Sequence, residues 1–317
     1  MKEKAKTSKE AKEANNESRP GRVPDLKQEH YSDGHPLDEV HYLECKIILK
    51  PDRFTSIQSF LDFAKLVRRA ADKSDVDLST GHLAGQKPQI REVVFLDTAD
   101  FRLYNNAFIL RRRILYENGF PVGDPEIVFK FRHPDMQKAA ELDVRPNIPG
   151  VYHIKFKAEA LPLREKLGGF RLLFSHNAQF GLSQVKEADR TSLATFVHLF
   201  PCLAPLKKSS TDRVDLVNQT IVEEVLLDLG KLDFGKGVIA ETNAALWRAR
   251  GDHQHLVGEF SFQAKFDRRE ELHAKARQRC EQFFVSLQDM ASDWVSLGTT
   301  KTGVVYHLKG NPPQSHE

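Results

Sequence analysis

The residues best suited to chemistry sit in "VFLDTADFRLYNNAFILRRRILY", where a strand pattern ends in Arg111, Arg112 and Arg113. Strand alternation puts Arg111 and Arg113 on one face and Arg112 on the other. Other cations sit at the same kind of position: Lys46 in "HYLECKIILK", and Lys130 and Arg132 in "EIVFKFRH". Arg213 adds a cation from the second half of the chain. A guanidinium offers a planar fork of donors that suits phosphate oxygens, and an ammonium adds point charge. Carboxylates alternate in the same segments, with Glu44, Glu141, Asp143 and Glu259 the main candidates. Acids beside such cations would repel a phosphate chain unless a hard divalent ion, Mg²⁺ or Mn²⁺, bridged the two. The mixed signs point to metal-assisted triphosphate chemistry. A nucleic-acid groove would show excess basic charge and exposed aromatics instead.

The elements that carry these residues read as strands with two chemistries. Leu43, Cys45, Ile47 and Leu49 oppose Tyr42, Glu44 and Lys46. Ile127, Phe129 and Phe131 oppose Lys130 and Arg132, and Tyr152, Ile154 and Phe156 oppose His153, Lys155, Lys157 and Glu159. In "AAELDVRP", Leu142 and Val144 oppose Glu141, Asp143 and Arg145; in "GEFSFQAKF", Phe260, Phe262 and Ala264 oppose Glu259, Ser261 and Gln263. One strand of this kind fits an antiparallel sheet with a wet outer face. Many of them, with both signs of charge, fit a closed barrel whose lumen is charged and whose outside packs on helices. Those helices are expected in "TSIQSFLDFAKLVRRAAD", "LSQVKEADRTSLATFVHLF" and "RREELHAKARQRCEQFFVSLQDMASDWV". "KTGVVYHL" reads as a closing strand, and "DLGKLDFGKG" as a loop. In "TIVEEVLLDLG", Glu224 and Asp228 read more simply as surface carboxylates than as members of the acidic set.

Composition narrows the class. The chain has 317 residues, 40% hydrophobic and 29% charged, with a formal net charge of +3. Anion binding must therefore come from local clustering, not a global field. Three widely spaced cysteines, Cys45, Cys202 and Cys280, suggest neither a disulfide framework nor a zinc site, and a cytoplasmic setting is the expectation. No apolar run reaches the roughly 18 residues of a membrane span. Residues 1–38 and 310–317 read as polar disordered tails around a single domain over 39–309. GxxxxGK[ST], HExxH, GxSxG and CxxC are absent, and "DHQH", with His253 and His255, reads as a hairpin loop.

With these residues in view, "VFLDTADFRLYNNAFILRRR" resembles the strand-turn-strand of the CYTH superfamily, the triphosphate tunnel metalloenzymes. The likeness runs through Phe95, Asp97, Thr98, Leu103, Leu110, Arg111 and Arg113. "FKFRHPD" is similar to the family's lysine strand, with Lys130 in place, and "AELDVRP" to the next strand, with Glu141 and Asp143. The resemblance implies an α+β fold: a closed antiparallel eight-stranded tunnel whose basic residues hold a linear triphosphate and whose glutamates hold Mg²⁺ or Mn²⁺. Members include thiamine triphosphatases, inorganic tripolyphosphatases, class IV adenylate cyclases and RNA triphosphatases. Lys301 matches a common family lysine, and Asp97 and Thr98 are expected to cap the turn.

Two positions depart from the pattern. Tyr42 stands where the opening E-x-E-x-K has its first glutamate, and Ser261 where a second late acid is common. The expected activity is metal-dependent hydrolysis of a triphosphate. Glu44 and Lys46 are expected to be catalytic. Lys46, Arg111, Arg113, Lys130, Arg132, Arg213 and Lys301 are expected on the phosphates, and Glu44, Glu141, Asp143 and Glu259 on the metal. Glu44 could instead simply pair with Lys46 or an arginine, but metal ligation is the favoured reading. Two rivals stay open: a polyanion-binding module without turnover, and a nucleotidyl cyclase that releases pyrophosphate. The expected partner is a small phosphorylated molecule, not a membrane or a nucleic acid.

Overall fold

The computed structural model describes residues 36, 39–81, 83, 85–187, 189–266 and 272–312. Apart from Pro36 and residues 310–312, the two expected tails lie outside the described residues. The strands are β1 (Tyr42–Leu49), β2 (Asp77–Ser79), β3 (Gln89–Asp97), β4 (Phe108–Glu117), β5 (Phe120–His133), β6 (His153–Pro162), β7 (Phe170–Gly181), β8 (Asp215–Leu216), β9 (Val222–Asp233), β10 (Ile239–Ala249) and β11 (His255–Lys265). The helices are α1 (Ile57–Lys73), α2 (Met136–Glu141), α3 (Leu193–Leu199), α4 (Ala274–Met290) and α5 (Lys301–His307).

Nine strands form a ring in the order β9-β10-β11-β1-β6-β7-β5-β4-β3, and β3 returns to pair with β9. The barrel is closed, as the alternation suggested, but it has nine strands rather than eight. Strands β2 and β8 extend the sheet beyond the ring at β9 and β3. All ring pairings are antiparallel except one: β1 runs parallel to β6, with Tyr42 beside Lys157 and Glu44 beside Glu159.

Three apolar clusters hold the barrel. The largest lies outside it, where Phe60, Phe63 and Val67 of α1 and Phe283, Phe284 and Leu287 of α4 cover Ile47, Leu227, Phe260 and Phe262. These are the outward residues of β1, β9 and β11, so the period-2 pattern of the strands meets the helical period of α1 and α4. Ser56 starts α1 in a capping box with Ser59. A second outer cluster packs Phe196, Leu199, Phe200 and Leu203 on Leu110, Phe129 and Phe180. The third cluster is inside. Ile48, Val93, Phe95, Ile109, Val222 and Trp247 meet Val305 and Tyr306 of α5, so this helix plugs one end of the lumen.

Several local expectations are corrected. "KTGVVYHL" is α5, not a closing strand. The Thr300 hydroxyl caps its N-terminus by accepting from the Gly303 N–H at 3.0 Å. "AAELDVRP" is not a strand: Asp135 caps α2 by accepting from the N–H groups of Gln137 and Lys138, and the chain beyond Glu141 is irregular. Of the described residues in "LSQVKEADRTSLATFVHLF", only Leu193–Leu199 is α-helical. Most of "DLGKLDFGKG" lies in β9, which runs to Asp233. No described helix is long and apolar enough to cross a membrane.

Candidate functional site

Above the plug lies a polar chamber of about 230 Å³. Among the described residues, eight cations line it: Lys46 of β1, Arg91 of β3, Arg111 and Arg113 of β4, Lys130 and Arg132 of β5, Lys157 of β6 and Lys301 of α5. Four carboxylates face them: Glu44, Glu159, Glu224 and Glu259. The lining thus carries four more formal positive than negative charges, more than the whole chain's +3. The volume falls below the roughly 300–1,000 Å³ of common organic-ligand pockets. It suits a thin, highly charged chain better than a bulky organic group.

On one wall, Glu159 is the hub. It is fully buried, lies 3.2 Å from Lys46 Nζ and 3.7 Å from Arg132 Nη1, and accepts from Lys130 and the Ser175 hydroxyl. Glu44 Oε2 lies 3.1 Å from Lys46 and 3.2 Å from Lys157, which also donates to Gln263 at 2.6 Å. Burial alone would raise the pKa of both acids, but the lysines overcome it and both stay well below the usual carboxylate range. Burial would lower Lys46, yet Glu159 and Glu44 raise it above an ordinary lysine. Lys130 moves the other way: burial, Lys46 and Arg132 outweigh the attraction of Glu159. At the position of the resemblance's missing glutamate, Tyr42 offers a ring face to Lys155 at 5.8 Å and to Lys157 at 5.9 Å.

On the opposite wall, Glu224 holds Arg91 at 3.3 Å on one oxygen, and accepts from Trp247 Nε1 at 2.8 Å and Lys301 at 3.1 Å on the other. Lys301 also reaches Glu259 at 2.7 Å and lies 4.6 Å from the centre of the Trp247 ring. Burial opposes the ionisation of Glu224, but Lys301, Arg91 and Arg113 keep its pKa low. Arg113 lies 3.5 Å from Glu126, whereas Arg111 forms no salt bridge among the described residues and its buried Nε has no hydrogen-bond partner. Burial and the neighbouring Arg113 push Arg111 down to about 9, still protonated at neutral pH. A partly buried guanidinium outside any ion pair is costly unless an anion arrives.

Of the sequence-derived candidates, the chamber gathers Glu44, Lys46, Arg111, Arg113, Lys130, Arg132, Glu259 and Lys301. It does not gather Glu141, Asp143 or Arg213. Glu141 is exposed at the end of α2 and accepts from Gln137; Asp143 pairs with Arg145; Arg213 pairs with Asp189 at 3.8 Å, half exposed. Each was placed inward by assuming a strand or a second-half contact that does not form. Arg112 takes the opposite face, as the alternation puts it, and pairs with Glu92. Glu224, read as a surface acid, is buried in the lumen, whereas Asp228 is exposed. Arg91, Lys157, Glu159 and Trp247 were not singled out, although the alternation already put Lys157 and Glu159 on the face of Lys155. Asp97 caps the turn as expected, accepting from the N–H groups of Thr98, Leu103 and Tyr104.

The lining does not fit a resident Mg²⁺ or Mn²⁺. Such an ion needs oxygen ligands free of other cations. Each lumen carboxylate is already bonded to a lysine, and no three acidic, histidine or cysteine side chains gather at a metal-sized point among the described residues.

No family model and no curated protein matches the chain. Among solved structures, it overlaps a candidate adenylyl cyclase from Hippeastrum, described as having a dominant triphosphatase activity, at 11% identity and a TM-score of 0.40, covering 86% of this chain and 98% of that one. It overlaps a candidate adenylate cyclase from Bacillus halodurans at 11% identity and a TM-score of 0.37, with the same coverage. A Pyrococcus horikoshii protein overlaps at 12% identity and a TM-score of 0.34, covering 84% of this chain and 98% of that one. Overlaps this loose carry no argument about the chemistry of this chain.

Proposed function

We propose that the chamber holds a linear triphosphate, either free tripolyphosphate or the tail of a nucleoside or thiamine triphosphate, and that the protein hydrolyses it. One observation carries the reading: among the described residues, eight cations face four carboxylates in a narrow chamber, and Arg111, with its Nε buried and unpartnered, forms no salt bridge. A phosphate chain supplies the missing negative charge. Arg111, Arg113, Lys130, Arg132 and Lys46 hold its oxygens and neutralise the charge that builds on the leaving group. Glu44 is the most open of the four acids, with 18% of its side chain exposed. It orients the water whose oxygen attacks the terminal phosphorus as the bond to the bridging oxygen breaks. The products are orthophosphate and a diphosphate.

A second reading is binding without turnover. The engagement of all four carboxylates by lysines favours it, because none is left as an unencumbered base. Phosphate release from tripolyphosphate, ATP and thiamine triphosphate, in EDTA, Mg²⁺ and Mn²⁺, separates the two. Orthophosphate release supports hydrolysis. Tight binding with no product supports the second reading, and pyrophosphate from ATP supports a cyclase. Absence of tripolyphosphate binding at low salt ends both.

A further inference from the structure

We propose that Lys301 is a built-in cation that stands in for a divalent metal ion between Glu224 and Glu259, so that the chamber takes its triphosphate without metal. The proposal rests on the triphosphate reading above. Two carboxylates from different strands, β9 and β11, converge on one point, which is the geometry that gathers a cation. The point is filled by the Lys301 ammonium, 2.7 Å from Glu259 Oε1 and 3.1 Å from Glu224 Oε1. Both carboxylates have 8% of their side chains exposed, and the lysine 16%. The Trp247 ring covers the ammonium on a further side, and the indole N–H takes up remaining capacity on Glu224. Lys301 and Arg91 together balance the two acids, so this wall is locally neutral before any ligand arrives.

Lys301 is also held in place from behind. It is the first residue of α5. Thr300 caps that helix, and Tyr306 stacks on Tyr104 at 4.0 Å and donates to Asp97 at 3.1 Å. Withdrawing the ammonium to admit a metal would take it off both carboxylates and off the Trp247 ring. The same exchange recurs on the other wall, where Glu44 and Glu159 converge on Lys46.

Two measurements on the full chain test this. The first is calorimetric titration with tripolyphosphate in EDTA and in Mg²⁺. Equal or tighter binding in EDTA is expected, because Mg²⁺ complexes the free ligand. Affinity that falls more than about tenfold in EDTA and returns with Mg²⁺ overturns the proposal. The second is Mn²⁺ binding followed by paramagnetic resonance, without phosphate. The wild-type chain is expected to take up no Mn²⁺, Lys301→Met to take up one ion, and Lys301→Met with Glu224→Gln to lose it again. Uptake by the wild type, or none by a folded Lys301→Met, overturns the proposal. If Lys301→Met does not fold, the wild-type measurements decide. Failure to bind tripolyphosphate in either medium removes the triphosphate reading, while the Mn²⁺ experiment still judges Lys301.

Discussion

Two regions of the barrel interior are built on the same strands and hold together by different physics. On β1 the inward residues are Glu44, Lys46 and then Ile48; on β4 they are Arg113, Arg111 and then Ile109; on β3, Arg91 and then Val93 and Phe95. A single step of two residues along each strand replaces charge with hydrocarbon. The apolar side is filled by Trp247, Val305 and Tyr306, and the charged side is left open as a chamber. Packing fixes the floor, and the charges above it are unbalanced. The plug sets the depth of the chamber, and the cations set what enters it.

The sharpest way to break this division is at Glu159. Glu159→Gln leaves Lys46, Lys130 and Arg132 crowded without their common carboxylate. Stability should fall by about 3–5 kcal/mol in denaturant titration, the range for removing one partner of a buried ionic cluster. Added tripolyphosphate should recover part of the loss. A loss too small to measure would mean that the cations are not held by this hub.

Arg111→Met should separate binding from folding. It removes a charge that no salt bridge holds among the described residues, so tripolyphosphate affinity should drop by about 2 kcal/mol, roughly 30-fold, as for a charge-assisted hydrogen bond. The midpoint of thermal unfolding should hold or rise. A stable variant with unchanged affinity would place the ligand elsewhere.

Tyr306→Phe acts only on the plug. Losing its hydrogen bond to Asp97 should cost about 1 kcal/mol of stability and leave affinity untouched. Changed affinity would show that floor and chamber are not independent.

The smallest expected effect is a pH slope. Burial raises the pKa of Asp97 to about 6, against the pull of its backbone hydrogen bonds. The folded state therefore holds this proton more tightly than the unfolded chain, and its contribution to stability is lost as pH rises from the unfolded value of 3.8 through about 6. Glu44, Glu159 and Glu224 run the other way: their depressed pKa values give stability that is present above the unfolded carboxylate range and lost as pH falls below it. Hydrogen exchange in α5 should accelerate between pH 4 and 7 beyond its intrinsic increase, relative to exchange in β6. A parallel change in both elements would refute the assignment to Asp97.

The closed barrel and the inward set Glu44, Lys46, Arg111, Arg113 and Lys130 were legible in the sequence because alternation reports which face a residue takes. Alternation does not report how far along the lumen a residue sits. For that reason Arg91 and Glu224 looked no different from surface charges, and Asp97 could not be recognised as part of a floor. Glu141 and Asp143 were misplaced for a related reason. "AAELDVRP" alternates as a strand would, but the Asp135 cap ahead of it turns the chain into α2. α5 was hidden because a run of seven residues around Val304 and Val305 fits either period, and only the Thr300 cap and the contacts of Tyr306 decide.

Around any ring of strands, each antiparallel step reverses the direction of travel, and the last strand must agree with the first. Antiparallel steps must therefore be even in number, so a ring with an odd strand count needs a like-directed neighbour somewhere. In this chain that obligation falls on β1 and β6. It sets Glu44 and Glu159 level with each other across the join, so that one lysine, Lys46, can bond both. Parity demands one parallel join, and the register of that join brings two acids shoulder to shoulder.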